Sequence, residues 1–191
     1  MLFSEQYLQE VNQIAENIDY YKVEQLVDCL NIHKGRVFIL GIGGSAANAS
    51  HMVNDLRKLC NIEAYCPTDN VSELTARTND EGFETIFENY LRTSNFTSSD
   101  CLFILSVGGG DKDRNISVNL IKAIDYCHIK GGKVYGIVGR SSGYTAKTGD
   151  CVILVPPLFP DRITPHSEAF QAVIWHCIVS NPKLQKNKTT W

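Results

Sequence analysis

Five short apolar runs, Val37–Leu40, Ala64–Cys66, Cys101–Val107, Lys133–Val138 and Cys151–Val155, recur along the chain with stretches of helical length between them. Strands buried on both faces read as continuous apolar runs, and strands that alternate with helices join as crossover units in a parallel sheet. The expected fold class is therefore α/β. Four of the runs empty into glycine or proline, as strand ends opening into loops do. In such sheets ligands bind outside the carboxyl ends, where strand order reverses. Functional residues are expected at 41–55, 67–80, 106–117, 139–145 and 156–168. Ahead of the first strand, Leu8, Val11, Ile14, Ile18, Val23, Leu26, Val27 and Leu30 keep helical spacing behind a candidate N-cap at Ser4. The pattern breaks near Asp19–Tyr21, so residues 4–32 form two packing helices. A last helix is expected over about 167–179, after the loop Pro156–His166, which its prolines stiffen. Residues 1–181 make a single domain and 182–191 a polar, frayed tail.

Bulk properties exclude several classes of function. At 191 residues and 43% hydrophobic, the chain can bury a proper core in one domain. A formal charge of −3 gives no basic field for nucleic acid, so an anionic ligand must be held by local geometry. Seven cysteines, an odd number without a CxxC and mostly inside apolar segments, suit free thiols in a reducing cytoplasm. The first residues show no basic and apolar leader, and no run approaches membrane-spanning length. A cytoplasmic protein with no membrane partner is the expectation.

The run Phe38 to Asp55 carries the clearest chemistry. A strand empties into Gly41-Ile42-Gly43-Gly44-Ser45 and then a helix, whose free N–H groups favour an anion such as phosphate. His51 and Asp55, at i and i+4, project on one face as a proton-transfer or metal pair. Gly41-x-Gly43-x-x-Ala46 also fits the dinucleotide fingerprint. Its acidic partner, Glu63, opens the second strand instead of closing it, so phosphate ranks above NAD. A second anion loop follows Ser106: Gly108, Gly109 and Gly110 in succession, then Ser117 at a helix start, which can equally be a plain N-cap. Asp69, Asn70, Ser72, Thr75, Asn79 and Asp80 are candidates for sugar hydroxyls, or for turns and caps. On the last helix Glu168 and His176 are eight apart and lie roughly on one side. His166 is a rival for the role of His176, while His33 and His128 sit at helix ends where the dipole alone explains them.

The order Gly43-Gly44-Ser45 then His51, the segment Thr78-Asn79-Asp80-Glu81-Gly82-Phe83-Glu84, the Ser106 loop and the closing helix with His176 together resemble the sugar isomerase (SIS) domain family, in its phosphoheptose isomerase group. The resemblance spans about Val11 to Ser180. It implies a three-layer α/β/α sandwich on a five-stranded parallel sheet, a homotetramer, and conversion of sedoheptulose 7-phosphate to D-glycero-D-manno-heptose 7-phosphate for bacterial surface heptoses. It also implies phosphate or substrate contacts at Gly43, Gly44, Ser45, Asp80, Ser106, Gly108, Gly109 and Ser117. One zinc per subunit would be held by His51, Asp55, Glu168 and His176. The family usually has Glu where Asp55 stands and Gln where Glu168 stands. Its Ser-Thr-Ser-Gly cluster is reduced to Ser106-Val107-Gly108-Gly109, and Ser117 aligns only if Asp111 to Asn115 are inserted. These departures leave open an isomerase of another phosphosugar, or a non-catalytic module that binds a sugar phosphate or a protein.

Aldose–ketose exchange needs a base for a carbon-bound proton and a partner for the oxygen-bound one. Asp55 is the expected base with Glu168 as its rival, and His176 the acid that completes transfer. A mixed N/O set of this kind suits zinc, which takes imidazole only in its neutral form, so metal binding weakens in acid.

Overall fold

A computed structural model of the chain describes residues 1–189. Its strands β1 (Val37–Leu40), β2 (Ala64–Tyr65), β3 (Cys101–Ser106), β4 (Lys133–Val138) and β5 (Cys151–Leu154) pair in parallel in the order β2-β1-β3-β4-β5. The expected α/β/α sandwich is what forms. Successive side chains of a strand point to opposite faces, and both faces are covered, which is why the runs show no polar alternation. Val37, Ile39, Phe103 and Ile137 enter one core with α1 (Phe3–Glu16), α2 (Tyr20–Ile32), α3 (Gly44–Cys60) and α8 (Ile163–Val179). Phe38, Leu40, Leu102 and Ile104 enter the other, with α5 (Ile86–Thr93) and α6 (Val118–Ile129). The chain turns from one side of β1 to the other between β2 and β3, so the crevice lies above the carboxyl ends of β1 and β3.

Several boundaries differ from expectation for local reasons. α1 starts at Phe3 with Leu2 in the cap position, and Ser4 lies inside the helix instead of capping it. The break before α2 is where it was expected, with the Asp19 carboxylate accepting from Lys22 N at 3.0 Å. After β2 the chain makes one tight turn, Pro67–Asp69, and then α4 (Val71–Glu81), capped by Asn70 and not by Asp69 or Ser72. α8 begins one turn early, at Ile163. Pro165 falls in the first turn, where its missing N–H has no intrahelical acceptor to leave empty.

The tail is docked through Asn187, against the expectation of fraying. Leu184 is 2% exposed in the first core. Lys186 N and Asn187 N donate to Leu59 O at 2.8 and 3.0 Å, and Asn187 Nδ2 donates to Lys58 O at 2.8 Å. The last turn of α3 has carbonyls without intrahelical partners, and the tail supplies their donors. Thr190 and Trp191, the end of the segment expected to fray, lie outside the described residues. Leu184→Ala is expected to destabilise the protein by about 2–4 kcal/mol, read as the shift in urea midpoint. A change below about 0.5 kcal/mol would show the tail undocked in solution.

α1 is fastened to the start of α8 by a buried cluster. Glu10 accepts from Arg162 Nε and Nη2 at 2.7 and 2.6 Å and meets His166 Nε2 at 2.9 Å, while Tyr7 stacks on His166. His166 is thus a structural residue and not a rival for His176. The Arg162 guanidinium, with help from His166 and Gln6, pulls the Glu10 carboxyl from its ordinary 4.5 down to about 2. A carboxyl depressed on folding contributes stability that is present above its unfolded value and lost as pH falls through its folded one. Stability should therefore decline between pH 4.5 and about 2, and Glu10→Gln should flatten that acid limb. An unchanged limb in thermal melts across this range would show that Glu10 does not set it.

Candidate active site

β1 delivers the chain into Gly41-Ile42-Gly43, a turn that requires glycine twice. A β-carbon at Gly41 would lie 2.3 Å from the Ser45 carbonyl oxygen, and Gly43 sits at φ +64° with open space beside it. The first turn of α3 follows at once, so the cradle has the backbone form expected of it. Ser45 itself is buried.

α3 and α8 both run back from the strand ends, side by side. Asn48 Nδ2 joins them, donating to Glu168 O at 3.0 Å and Gln171 Oε1 at 3.2 Å. This lock brings the third turn of α3 level with the last turns of α8. His51 Nε2 then lies 3.9 Å and His176 Nε2 4.0 Å from Asp55 Oδ2. The His51 and His176 rings meet edge to face, and Trp175 packs against both. The ligand atoms of His51, Asp55 and His176 all lie within 4.8 Å of one another. His176 Nδ1 is 2.7 Å from Ala172 O and so carries the proton there, which makes Nε2, turned to Asp55, the nitrogen that holds the lone pair in the neutral ring. Two imidazole nitrogens and a carboxylate oxygen, with solvent on one side, fit a zinc site that keeps a position open. They line a hollow of about 380 Å³ with Asn54, Lys58 and the tail residue Thr189.

Within the chain Glu168 is not brought to this trio, which His51, Asp55 and His176 form without it. It stands eight residues before His176, about 12 Å along the helix, level with the start of α3. A β-carbon added at Gly44 would lie 2.6 Å from a Glu168 carboxylate oxygen. The positive end of the α3 dipole favours a carboxylate there. The Gly43-Gly44-Ser45 cradle therefore already faces a negative group.

The second loop is braced by its own serine. Gly109 N donates to Ser106 Oγ at 2.9 Å, while Gly108 is open and Gly109 and Gly110 have φ of +72° and +86°. Ser117 holds the N-cap position of α6 at φ +51°, with its hydroxyl making no capping bond. It faces the β1–β3 crevice with Ile42, Glu84 and Asn115, in a hollow of about 320 Å³. Asp80 is exposed on the last turn of α4, accepts from Asn79, and lies outside these hollows. Reading the sequence did not single out the Asn48–Gln171 lock, although a glutamine inside an apolar helix face was a signal for it. Lys58, about one turn beyond Asp55 on α3, and Thr189, which tail docking brings to the site, carried none.

Comparison with known proteins gives a concordant picture. The SIS domain model matches residues 4–139. The phosphoheptose isomerase of Rhodospirillum rubrum is 32% identical over 149 residues, covering 75% of this chain and 73% of that protein. That of Syntrophotalea carbinolica is 30% identical, covering 89% and 87%. Among solved structures, the phosphoheptose isomerase of Neisseria gonorrhoeae superposes with a TM-score of 0.79 at 23% identity, over 92% of this chain and 95% of that one. At that identity the superposition shows the fold.

Proposed function

The chain belongs to the SIS domain family, and from that membership and its phosphoheptose isomerase relatives we propose that it interconverts sedoheptulose 7-phosphate and D-glycero-D-manno-heptose 7-phosphate. The observation that carries this reading is the meeting of His51, Asp55 and His176 from two helices on an open hollow. In the ketose-to-aldose direction Asp55 takes a proton from C1, the C1–H electron pair forms the C1–C2 double bond, and an enediolate results. His176 accepts the O1 proton and passes it to O2. Protonated Asp55 then returns its proton to C2, which leaves the carbonyl at C1. Asp55, largely enclosed, is suited to the carbon proton, and the half-exposed His176 to the oxygen protons.

His51, Asp55 and His176 would hold one zinc per subunit, which when bound supplies a Lewis acid that polarises the carbonyl oxygen. Glu168, at the mouth of the α3 cradle, orients hydroxyls at the far end of the sugar in this scheme. Gly43, Gly44, Ser45, Ser106, Gly108, Gly109 and Ser117 line the approach from the strand ends, while Asp80 would need a neighbouring subunit to meet substrate. Homotetramer formation is supported by α1, which leaves Phe3 and Leu8 each 66% exposed on its outer side. No helix among the described residues is long and apolar enough to cross a membrane, and work in the cytoplasm fits the free cysteines.

Metal-replete protein incubated with sedoheptulose 7-phosphate and followed by NMR should form the aldose. Folded, metal-loaded protein that turns over another ketose phosphate and not this one would reassign the substrate. No turnover of any in a panel would leave a binding module.

A further inference from the structure

A second hollow, with none of the residues that line the His51–Asp55–His176 hollow, opens between the connections that follow β3 and β4. It has an outer lobe of about 340 Å³ and an inner one of about 220 Å³, which share Gly110, Asp111, Arg114, Arg140 and Ser142. Its walls are fixed before any ligand arrives. Tyr144 N donates to Gly110 O and Thr145 N to Gly109 O, both at 2.8 Å, and Thr145 Oγ1 also donates to Gly109 O. The segment 111–116 closes on itself through paired backbone bonds between Asp111 and Ile116. Asp111 Oδ1 accepts from the N–H groups of Asp113 and Arg114 at 3.0 and 3.1 Å.

Charge is distributed unevenly over these walls. Lys112 is committed to Asp125 at 3.1 Å and lies over the Tyr144 ring. Arg114 has only a 3.8 Å approach to Asp111, and Arg140 and Lys147 form no ion pair among the described residues. Asp113 reaches the outer lobe alone, so the inner lobe places two guanidinium groups beside the Ser142 hydroxyl, glycine backbone and a single carboxylate, Asp111, whose Oδ1 is already engaged by two backbone N–H groups. Asp111 offsets only one of the two guanidinium charges, and an oxyanion between them supplies the missing negative charge while filling the planar forks of both. The cradle at Gly44 faces the Glu168 carboxylate, whereas the inner lobe sets two guanidinium groups against one carboxylate.

We propose that Arg114 and Arg140 form a phosphoryl-binding site in the inner lobe. Its ligand is a phosphate monoester dianion, either the phosphate end of the substrate or a separate phosphorylated metabolite. The site itself stands apart from the isomerase reading, and only its identification with the substrate's own phosphate rests on that reading.

The test is calorimetric titration of the full chain with inorganic phosphate, comparing wild type with Arg114→Ala, Arg140→Ala and Lys112→Ala. Losing a charge-assisted contact should weaken binding about tenfold or more in each arginine variant, with the circular dichroism spectrum unchanged, and leave the Lys112 variant close to wild type. Equal affinity in all four proteins, or no binding by wild type, overturns the site. Repeating the titration with saturating sedoheptulose 7-phosphate separates the two sources. If phosphate is excluded, and Arg140→Ala raises KM with kcat retained, the site holds the substrate's phosphate. If phosphate still binds, it holds a separate ligand. Absence of isomerase turnover would leave the phosphate titration readable, so the two readings fail separately.

Discussion

His176→Gln is expected to lower kcat by about 10²–10⁴-fold, the usual contribution of a positioned general acid or base, while melting close to wild type. The side chain is about half exposed and stands at the edge of the hollow, so its loss opens no core cavity. Its function depends on Nε2. Nδ1–H is held by Ala172 O, and Nε2 faces Asp55 as the nitrogen free to take or give a proton. Glutamine keeps polarity and approximate reach but does not change charge with the proton it would have to carry. Proton transfer and metal ligation compete for the same Nε2, and the two are separated by measuring metal content beside kcat. Retained metal with a loss of that size assigns His176 to the proton. A loss that tracks the metal assigns it to ligation. A change of less than about threefold, far below the general acid–base range, would remove His176 from the mechanism.

Treating zinc-loaded protein with a chelator is expected to reduce turnover by about 10²-fold or more, and stoichiometric zinc should restore it. A Lewis acid contributes several kcal/mol to stabilising developing charge, and about 1.4 kcal/mol corresponds to a factor of ten in rate. The donor set for it is local: two imidazole nitrogens and one carboxylate oxygen within 4.8 Å of one another. Asp55→Asn should match or exceed this loss, because it would remove the proposed base and weaken the proposed metal site together. His51→Ala should lower metal affinity while leaving the Asp55 carboxylate in place, so excess zinc should recover part of its turnover. Full turnover by metal-free protein, checked by elemental analysis, would eliminate the electrophilic role.

Much of the scaffold was legible because it depends on short-range pattern. The five apolar runs became the five strands, to within a residue or two at their ends. Gly41 and Gly43 stand where the backbone excludes a side chain or requires positive φ, and that demand shows in residue type alone. The i, i+4 spacing of His51 and Asp55 is likewise a property of one helix. What the sequence left illegible depends on what meets across the fold. The eight-residue spacing of Glu168 and His176 put them on one side of α8, but nothing in it said that about 12 Å of helix would match one to the start of α3 and the other to its third turn. The polar tail looked free because its docking depends on Leu184 finding a core and on the carbonyls left over at the end of α3.

The sequence by itself determined the parallel α/β sheet, the glycine turns and the residue types able to move a proton or hold zinc. Hydrophobic period, glycine's backbone freedom and the chemistry of side chains are local properties. Tertiary structure alone decided which of those residues meet. The Asn48–Gln171 lock sets the register of α3 on α8, and so joins His176 to Asp55 while parting Glu168 from both. Tertiary structure also set two loops of separate origin side by side, so that Arg114 and Arg140 line one hollow. Register between packed helices and the facing of loops are fixed by contacts between residues far apart in the chain, which no local window contains.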